Sequence, residues 1–217
     1  MNLSELFGVS QLGLFCLAVL LLNATPGPDT VYIVGRSLAQ GRQAGIVSAA
    51  GISDGCCVHA VASALGLSAL LSASATAFML VKLVGGGYLI YLGLCLLLRN
   101  VGDRPTRVSA RIVKTRPLPT IFLQAFLTNL MNPKVILFFV SFFPQFVIPG
   151  ISHQTFALLL LGAIFVVMSS CWNCGMAIIA GMLVGQHRSD SAFQKWLERI
   201  VGGAFVALGV RLLRAQH

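Results

Sequence analysis

Charge is scarce in this sequence. Only 10% of its 217 residues are Asp, Glu, Lys or Arg, and just 6 side chains are acidic, whereas an ordinary soluble domain carries roughly 25% charged residues. A soluble fold must cover its outside with such groups, so the shortage excludes one. Charge is absent altogether from Leu6 to Pro28, from Gly55 to Val81 and from Val135 to Gln186, and a membrane helix needs only about 20 apolar residues. With 57% of the chain hydrophobic, the sequence reads as an all-α, polytopic membrane protein whose surroundings are the lipid bilayer. The N-terminus lacks both a basic residue ahead of its first apolar run and a small-residue cleavage site after it, so the first helix is expected to stay. A disulfide framework is not expected either. All 6 cysteines (Cys16, Cys56, Cys57, Cys95, Cys171, Cys174) lie in apolar segments with no loop to staple, which leaves the redox compartment open.

What charge there is lies between the apolar runs. A net charge of +9 would point a soluble protein towards nucleic acid, but here the basic residues mark topology, and no nucleic-acid partner is expected. Spans are expected near Leu12 to Leu38, Ala44 to Leu71, Met79 to Leu98, Leu118 to Phe143, Phe156 to Val184 and Trp196 to Leu213. Pro144, Pro149, Gly150 and Ser152 divide the long uncharged stretch after Val135. With both termini outside, the inner segments hold eleven basic residues: Arg36, Arg42, Arg99, Arg104, Arg107, Arg111, Lys114, Arg116, Arg188, Lys195 and Arg199. The outer segments hold Arg211 and Arg214, with Lys82 and Lys134 left within spans. The positive-inside rule favours this orientation. The chain then forms a single membrane domain over 1–217, with a three-helix repeat over 1–98, a basic cytoplasmic linker over 99–117 and a second three-helix repeat over 118–217.

Three spans on each side of one linker give the halves opposite orientations, and the sequence shows the repeat. Val84-Gly85-Gly86-Gly87-Tyr88 with Leu92-Gly93-Leu94 in the third span is echoed by Val201-Gly202-Gly203-Ala204-Phe205 with Leu208-Gly209-Val210 in the sixth. Proline also breaks the leading span of each half at a matching place, at Thr25-Pro26-Gly27-Pro28-Asp29 and at Asn129-Leu130-Met131-Asn132-Pro133-Lys134. About fourteen residues precede each break, which puts both well inside the membrane. Asn132 is a strong N-cap and Pro133 suits a first helical position, so a helix restarts there; Gly27 and Pro28 repeat that grammar. Each restart is expected to leave free backbone amides for an anionic group such as a carboxylate, and the unwound carbonyls suit an ammonium. The plain alternative is a pair of proline kinks satisfied by neighbouring helices.

Opposite charges, Asp29 and Lys134, follow the two prolines. An unpaired charge at the centre of a membrane helix costs roughly 3 kcal/mol, so a partner or a wet cavity is expected for both. In the second span Gly51, Gly55 and His59 form a close-packing stripe at four-residue spacing, flanked by Asp54. Asp54 and His59 lie roughly 140° apart around one helix and cannot touch directly, but each is a candidate for proton relay. Lys82, near the start of its span, is expected to snorkel. Cys171-Trp172-Asn173-Cys174 has the spacing of a thioredoxin-like pair, yet it lies inside an apolar span without the usual βαβ context, so packing is the expected role.

At these residues the chain resembles the lysine-exporter and homoserine/threonine-resistance (LysE/RhtB) family of amino acid exporters. The likeness runs through Pro26-Gly27-Pro28-Asp29-Thr30, Ser37-Leu38-Ala39-Gln40-Gly41-Arg42-Gln43-Ala44-Gly45 and Gly51-Ile52-Ser53-Asp54-Gly55 with His59. It continues through Ala64-Leu65-Gly66-Leu67, Tyr88-Leu89-Ile90-Tyr91-Leu92-Gly93, Leu127-Thr128-Asn129-Leu130-Met131-Asn132-Pro133-Lys134, Pro144-Gln145-Phe146 and Gly209-Val210-Arg211-Leu212. Cys56-Cys57 and the Cys171 to Cys174 pair are departures from the family pattern. The resemblance implies a bacterial inner-membrane exporter, not an enzyme, that moves small amino acids of the homoserine or threonine kind in exchange for protons. The two breaks nominate Gly27, Pro28, Asp29, Asn129, Asn132, Pro133 and Lys134 for substrate binding, and titratable groups placed within spans nominate Asp29, Asp54 and His59 for proton coupling, although Asp54 falls at a position that varies in the family. No cofactor, catalytic residue or resident metal is expected, and the oligomeric state stays open. The competing readings are a soft-metal exporter using the cysteines and a membrane thiol-disulfide electron carrier. The second needs matched cysteines in both halves, whereas Cys16 of the first span has no counterpart between Leu118 and Phe143.

Overall fold

The structure, a computed structural model, describes residues 7–73, 115–148, 151 and 153–182, with isolated positions between 76 and 98 and between 203 and 210. Those isolated positions are all helical. Most of the third and sixth spans, Lys82, Cys95 and the linker up to Lys114 lie outside the described residues. Five α-helices carry the described fold: α1 (Leu12–Ala24), α2 (Pro28–Ala73), α3 (Leu118–Leu130), α4 (Pro133–Ser141) and α5 (Gln154–Met182), with a 3₁₀ turn at Phe143–Phe146 after α4. Among the described residues backbone pairing outside helices and turns is confined to the neighbourhood of one antiparallel bridge between Val9 and Val147.

Local chemistry sets these boundaries. Both helices that precede a proline break are 13 residues long, and they begin at the expected Leu12 and Leu118. At about 1.5 Å per residue neither crosses a bilayer alone, so each needs the helix beyond its break. The pair Leu118–Leu130 and Pro133–Phe146 bends by 49° at its break. Inside α2 the helix is interrupted at Gly41, whose φ of 82° and ψ of 179° belong to a region that only glycine occupies cheaply. That single residue divides α2 inside the expected interval between Leu38 and Ala44. The fifth span runs as α5 from Gln154 to Met182, against the expected Phe156 to Val184.

Lipid tails are as apolar as leucine, so membrane helices associate by close packing and hydrogen bonds more than by apolar burial. The glycine stripe of the second span does this work. A Cβ on Gly51 would lie 2.4 Å from the Phe122 carbonyl oxygen, and one on Gly55 would lie 2.5 Å from Asn129 Oδ1. Only bare backbone lets α2 and α3 approach so closely. Against α5, Ala60 meets Gly162 and Arg42 meets Gly181 in the same way.

The chain through α1 and the start of α2 runs antiparallel to the chain through α3 and α4. At one end Ser10 N donates to Phe146 O at 2.8 Å and Ile148 N to Gly8 O at 2.9 Å. At the other, Gln40 Nε2 donates to Arg116 O at 3.0 Å, and Arg36 donates to Gln40 and Gln124 at 2.9 and 3.1 Å. Tyr32 supports that cluster, with its ring 5.5 Å from the Arg36 guanidinium and its hydroxyl 3.1 Å from Gln124 Oε1. Arg36, Arg42 and Arg116 therefore gather at the end opposite to Ser10 and Ile148. Between that latter end and the breaks, phenylalanines fill the interior: Phe15 packs edge-on against Phe143 and Phe146 at 5.3 and 5.2 Å, and Phe139 meets Phe143 and Phe165 at 4.3 and 4.6 Å. Such pairs are worth roughly 0.5–1.5 kcal/mol each beyond area burial.

Candidate functional site

Both proline breaks open onto one cavity. It is lined by Leu22, Asn23, Gly27, Asp29, Thr30, Ile52, Cys56, Asn129, Asn132, Lys134, Val135, Phe165, Ser169 and Asn173, and it offers about 30 Å³ of water-accessible space. That is room for one or two waters. Of the nine residues nominated from sequence, Gly27, Asp29, Asn129, Asn132 and Lys134 line it directly. Pro28 and Pro133 start the helices that carry Asp29 and Lys134.

The breaks differ in how their backbone groups are satisfied. In α1 the last turn unwinds at Thr25, whose amide reaches back to Leu21 O and Leu22 O at 3.1 and 3.2 Å and whose hydroxyl donates to Leu21 O at 2.8 Å. The carbonyls of Leu22 and Thr25 receive the ammonium of Lys134, at 2.5 and 2.7 Å. The carbonyls expected to suit a substrate ammonium receive instead an ammonium from the opposite half of the chain. At the second break Asn132 acts as the expected N-cap, its Oδ1 accepting from Lys134 N at 3.1 Å. Its carbonyl accepts from Val135 N and Ile136 N, each at 3.1 Å. This corrects the expectation of free amides after Asn132, because its own side chain and carbonyl take the first of them. At the first break Gly27 has no side chain to do the same. Its carbonyl caps Val31 N at 3.0 Å, and the Asp29 and Thr30 amides belong to the first turn, where a helix supplies no partner of its own.

Asn129 holds the centre. It is 1% exposed, its Nδ2 donates to Asp29 Oδ2 at 2.8 Å, and its Oδ1 accepts from Cys56 Sγ at 3.6 Å. Its carbonyl lies 3.3 Å from His59 Nε2. Because a carbonyl only accepts, His59 donates from that nitrogen, and its ring stacks on Phe139 at 5.7 Å. Asp29 and Lys134 thus share the cavity without spending their bonds on each other. Asp29 Oδ1 is buried and has no hydrogen-bond partner.

Asp54 is not brought to this place. It lies on the exposed face of α2, turned away from Asn129 by the helical geometry that puts Gly51 and Gly55 on the packed side. Cys171 is exposed and Cys174 half-buried, both as free thiols, and neither lines the cavity. Among the described residues no three His, Cys, Asp or Glu side chains gather as metal ligands.

Sequence reasoning missed the wall supplied by α5. Ser169 and Asn173 are 2% and 6% exposed and line the cavity, and Ser169 Oγ accepts from Asn23 Nδ2 at 3.0 Å. Ser170 extends this seam to Ser53 at 2.7 Å. The signal lies in the sequence: Ser169 and Asn173, four apart in a mostly apolar span, mark one polar helix face. Cys56, which the soft-metal reading makes a ligand, forms part of the cavity wall.

The LysE type translocator family matches residues 20–216 of this chain. An uncharacterized membrane protein of Pseudomonas aeruginosa is 32% identical over 214 residues, covering 96% of this chain and 97% of its own length. Leucine efflux proteins of Salmonella choleraesuis and Salmonella typhimurium are each 26% identical over 211 residues, covering 97% of this chain and 98% of theirs. No solved structure matches the chain.

Proposed function

The chain belongs to the LysE type translocator family, a membrane translocator and not an enzyme, and from that premise we propose that it exports neutral amino acids from the cytoplasm in exchange for protons. The observation that carries this reading is the pair of charges in one cavity: a carboxylate with a free, buried Oδ1 on Asp29 and an ammonium on Lys134. A zwitterion complements both. Its ammonium suits Asp29 Oδ1, and its carboxylate suits Lys134 and the first-turn amides that follow Gly27, at the positive end of α2. Asp29 and Lys134 together are net neutral, so a net-neutral substrate adds no uncompensated charge inside the membrane. Leu22, Ile52, Cys56, Val135 and Phe165 supply apolar wall for its side chain. Homoserine and threonine fit this wall with a hydroxyl towards Ser169 or Asn173, and leucine, which names the Salmonella relatives, fits it with carbon alone.

A cavity with room for only one or two waters cannot enclose an amino acid, so transport requires the broken helices to part. The phenylalanine cluster closes the end near Ser10 and Ile148; the arginine cluster marks the other end as cytoplasmic under the positive-inside rule. In this reading both termini lie outside the inner membrane, the halves form an inverted repeat of three spans each, and the substrate leaves by separating Phe15 from Phe143 and Phe146. Proton exchange follows from competition, since a proton and a substrate ammonium claim the same carboxylate at Asp29. His59 holds Asn129 in place from the second span.

Inside-out membrane vesicles test the proposal. A lumen made acid relative to the medium should drive uptake of labelled threonine, homoserine or leucine, and a protonophore should stop it. No uptake across a broad panel of neutral amino acids by folded protein under any gradient would refute it. The thiol and metal alternatives are separated by a second experiment. Replacing Cys171 and Cys174 together by Ala should leave uptake within about twofold of the parent, as for packing residues away from the site. Loss of uptake with normal folded yield would instead favour those alternatives.

A further inference from the structure

Lys134 stands where a cation is least welcome on its own helix. It occupies the first turn of α4, where the helix dipole is positive and disfavours a positive side chain. Its stem runs past Gly27, whose added Cβ would lie 3.7 Å from Lys134 Cδ, and its ammonium ends on the carbonyls of Leu22 and Thr25. Those carbonyls lie at the C-terminal, negative end of α1. Two unwound carbonyls, a helix end and the nearby Asp29 carboxylate make a place for a primary ammonium, and the chain fills it with its own. We propose that this place is the ammonium subsite of the transporter and that Lys134 is its built-in occupant, displaced only by a ligand that carries both an amine and a carboxylate.

The reasoning is one of charge exchange and rests on the export reading above. An incoming amine that takes the two carbonyls sets the Lys134 ammonium loose in a low-dielectric cavity, which is costly unless an anion meets it. An amino acid brings that anion with it. A simple alkylamine does not, so it is refused. The device thereby selects zwitterions over amines without reading the side chain.

Removing the occupant should expose the subsite. Lys134→Ala deletes three carbons and the nitrogen, the outline of propylammonium. In purified protein, propylammonium chloride should raise the thermal unfolding midpoint of Lys134→Ala by several degrees over potassium chloride at equal ionic strength, and it should leave the parent unmoved. Equal effects of the two salts on Lys134→Ala, or an equal propylammonium shift in parent and variant, would overturn the proposal. Should Lys134→Ala not accumulate, folded yields of Lys134→Arg and Lys134→Met decide. Arginine keeps a donor for the carbonyls and should accumulate well above methionine, whereas equal yields would overturn the subsite. Because unfolding is measured without transport, a failure here is distinct from a failure of export, which is read from amino acid uptake by the parent.

Discussion

Asp29→Asn should abolish proton-driven uptake while the protein still folds. Asparagine is isosteric and its Oδ1 still accepts from Asn129 Nδ2, the bond that now holds Asp29 Oδ2 at 2.8 Å. The fold therefore keeps its central contact. What disappears is the charge on the oxygen that has no partner, and with it both the counter-charge for a substrate ammonium and the group that exchanges a proton. Losing one partner of a buried, hydrogen-bonded charge pair costs about 2–5 kcal/mol, on the order of 30-fold or more in affinity. Uptake in vesicles and folded yield in detergent, measured on the same preparation, check this. Uptake within threefold of the parent would remove Asp29 from the mechanism.

Gly51→Ala and Gly55→Ala should each damage folding more than function. A methyl group on Gly51 meets the Phe122 carbonyl at 2.4 Å and Ala125 Cβ at 3.0 Å, so backbone has to move. On Gly55 it meets Asn129 Oδ1 at 2.5 Å and pushes on the residue that orients Asp29. Overpacking of this kind costs about 1–3 kcal/mol, roughly 5- to 150-fold in the ratio of folded to unfolded protein. The control is Gly175→Ala on α5, where no described atom lies within 4 Å of the added carbon and where exchanging glycine for alanine inside a helix is favourable by itself. Yields after size-exclusion chromatography and thermal midpoints should separate the two stripe variants from the control. If all three behave alike, the close approach of α2 to α3 is wrong.

The readings that came through from sequence share one property: each depends on a residue's own backbone or side chain. Proline has no amide hydrogen, so the breaks at Pro28 and Pro133 were legible. Asn132 caps its own helix, and the four-residue spacing of Gly51 and Gly55 fixes a single helix face. The free amides expected after Asn132 failed for an equally local reason: a capping side chain consumes what it caps. Duplication of the breaks at matching places already favoured function over kinks, and the family likeness added a substrate class.

What only the tertiary structure decided lies across the breaks. Lys134 reaches carbonyls 112 and 109 residues away, Asn129 reaches Asp29 across 100 residues, and Asn23 reaches Ser169 across 146. Sequence put Asp54 and His59 on one short stretch of helix, and packing sent His59 to Asn129 while leaving Asp54 on the exposed face. Helical periodicity says which side chains share a face; it does not say which neighbour that face meets. In a membrane the choice of neighbour comes from how closely small residues let helices approach, and each such approach is a property of two segments far apart in the chain.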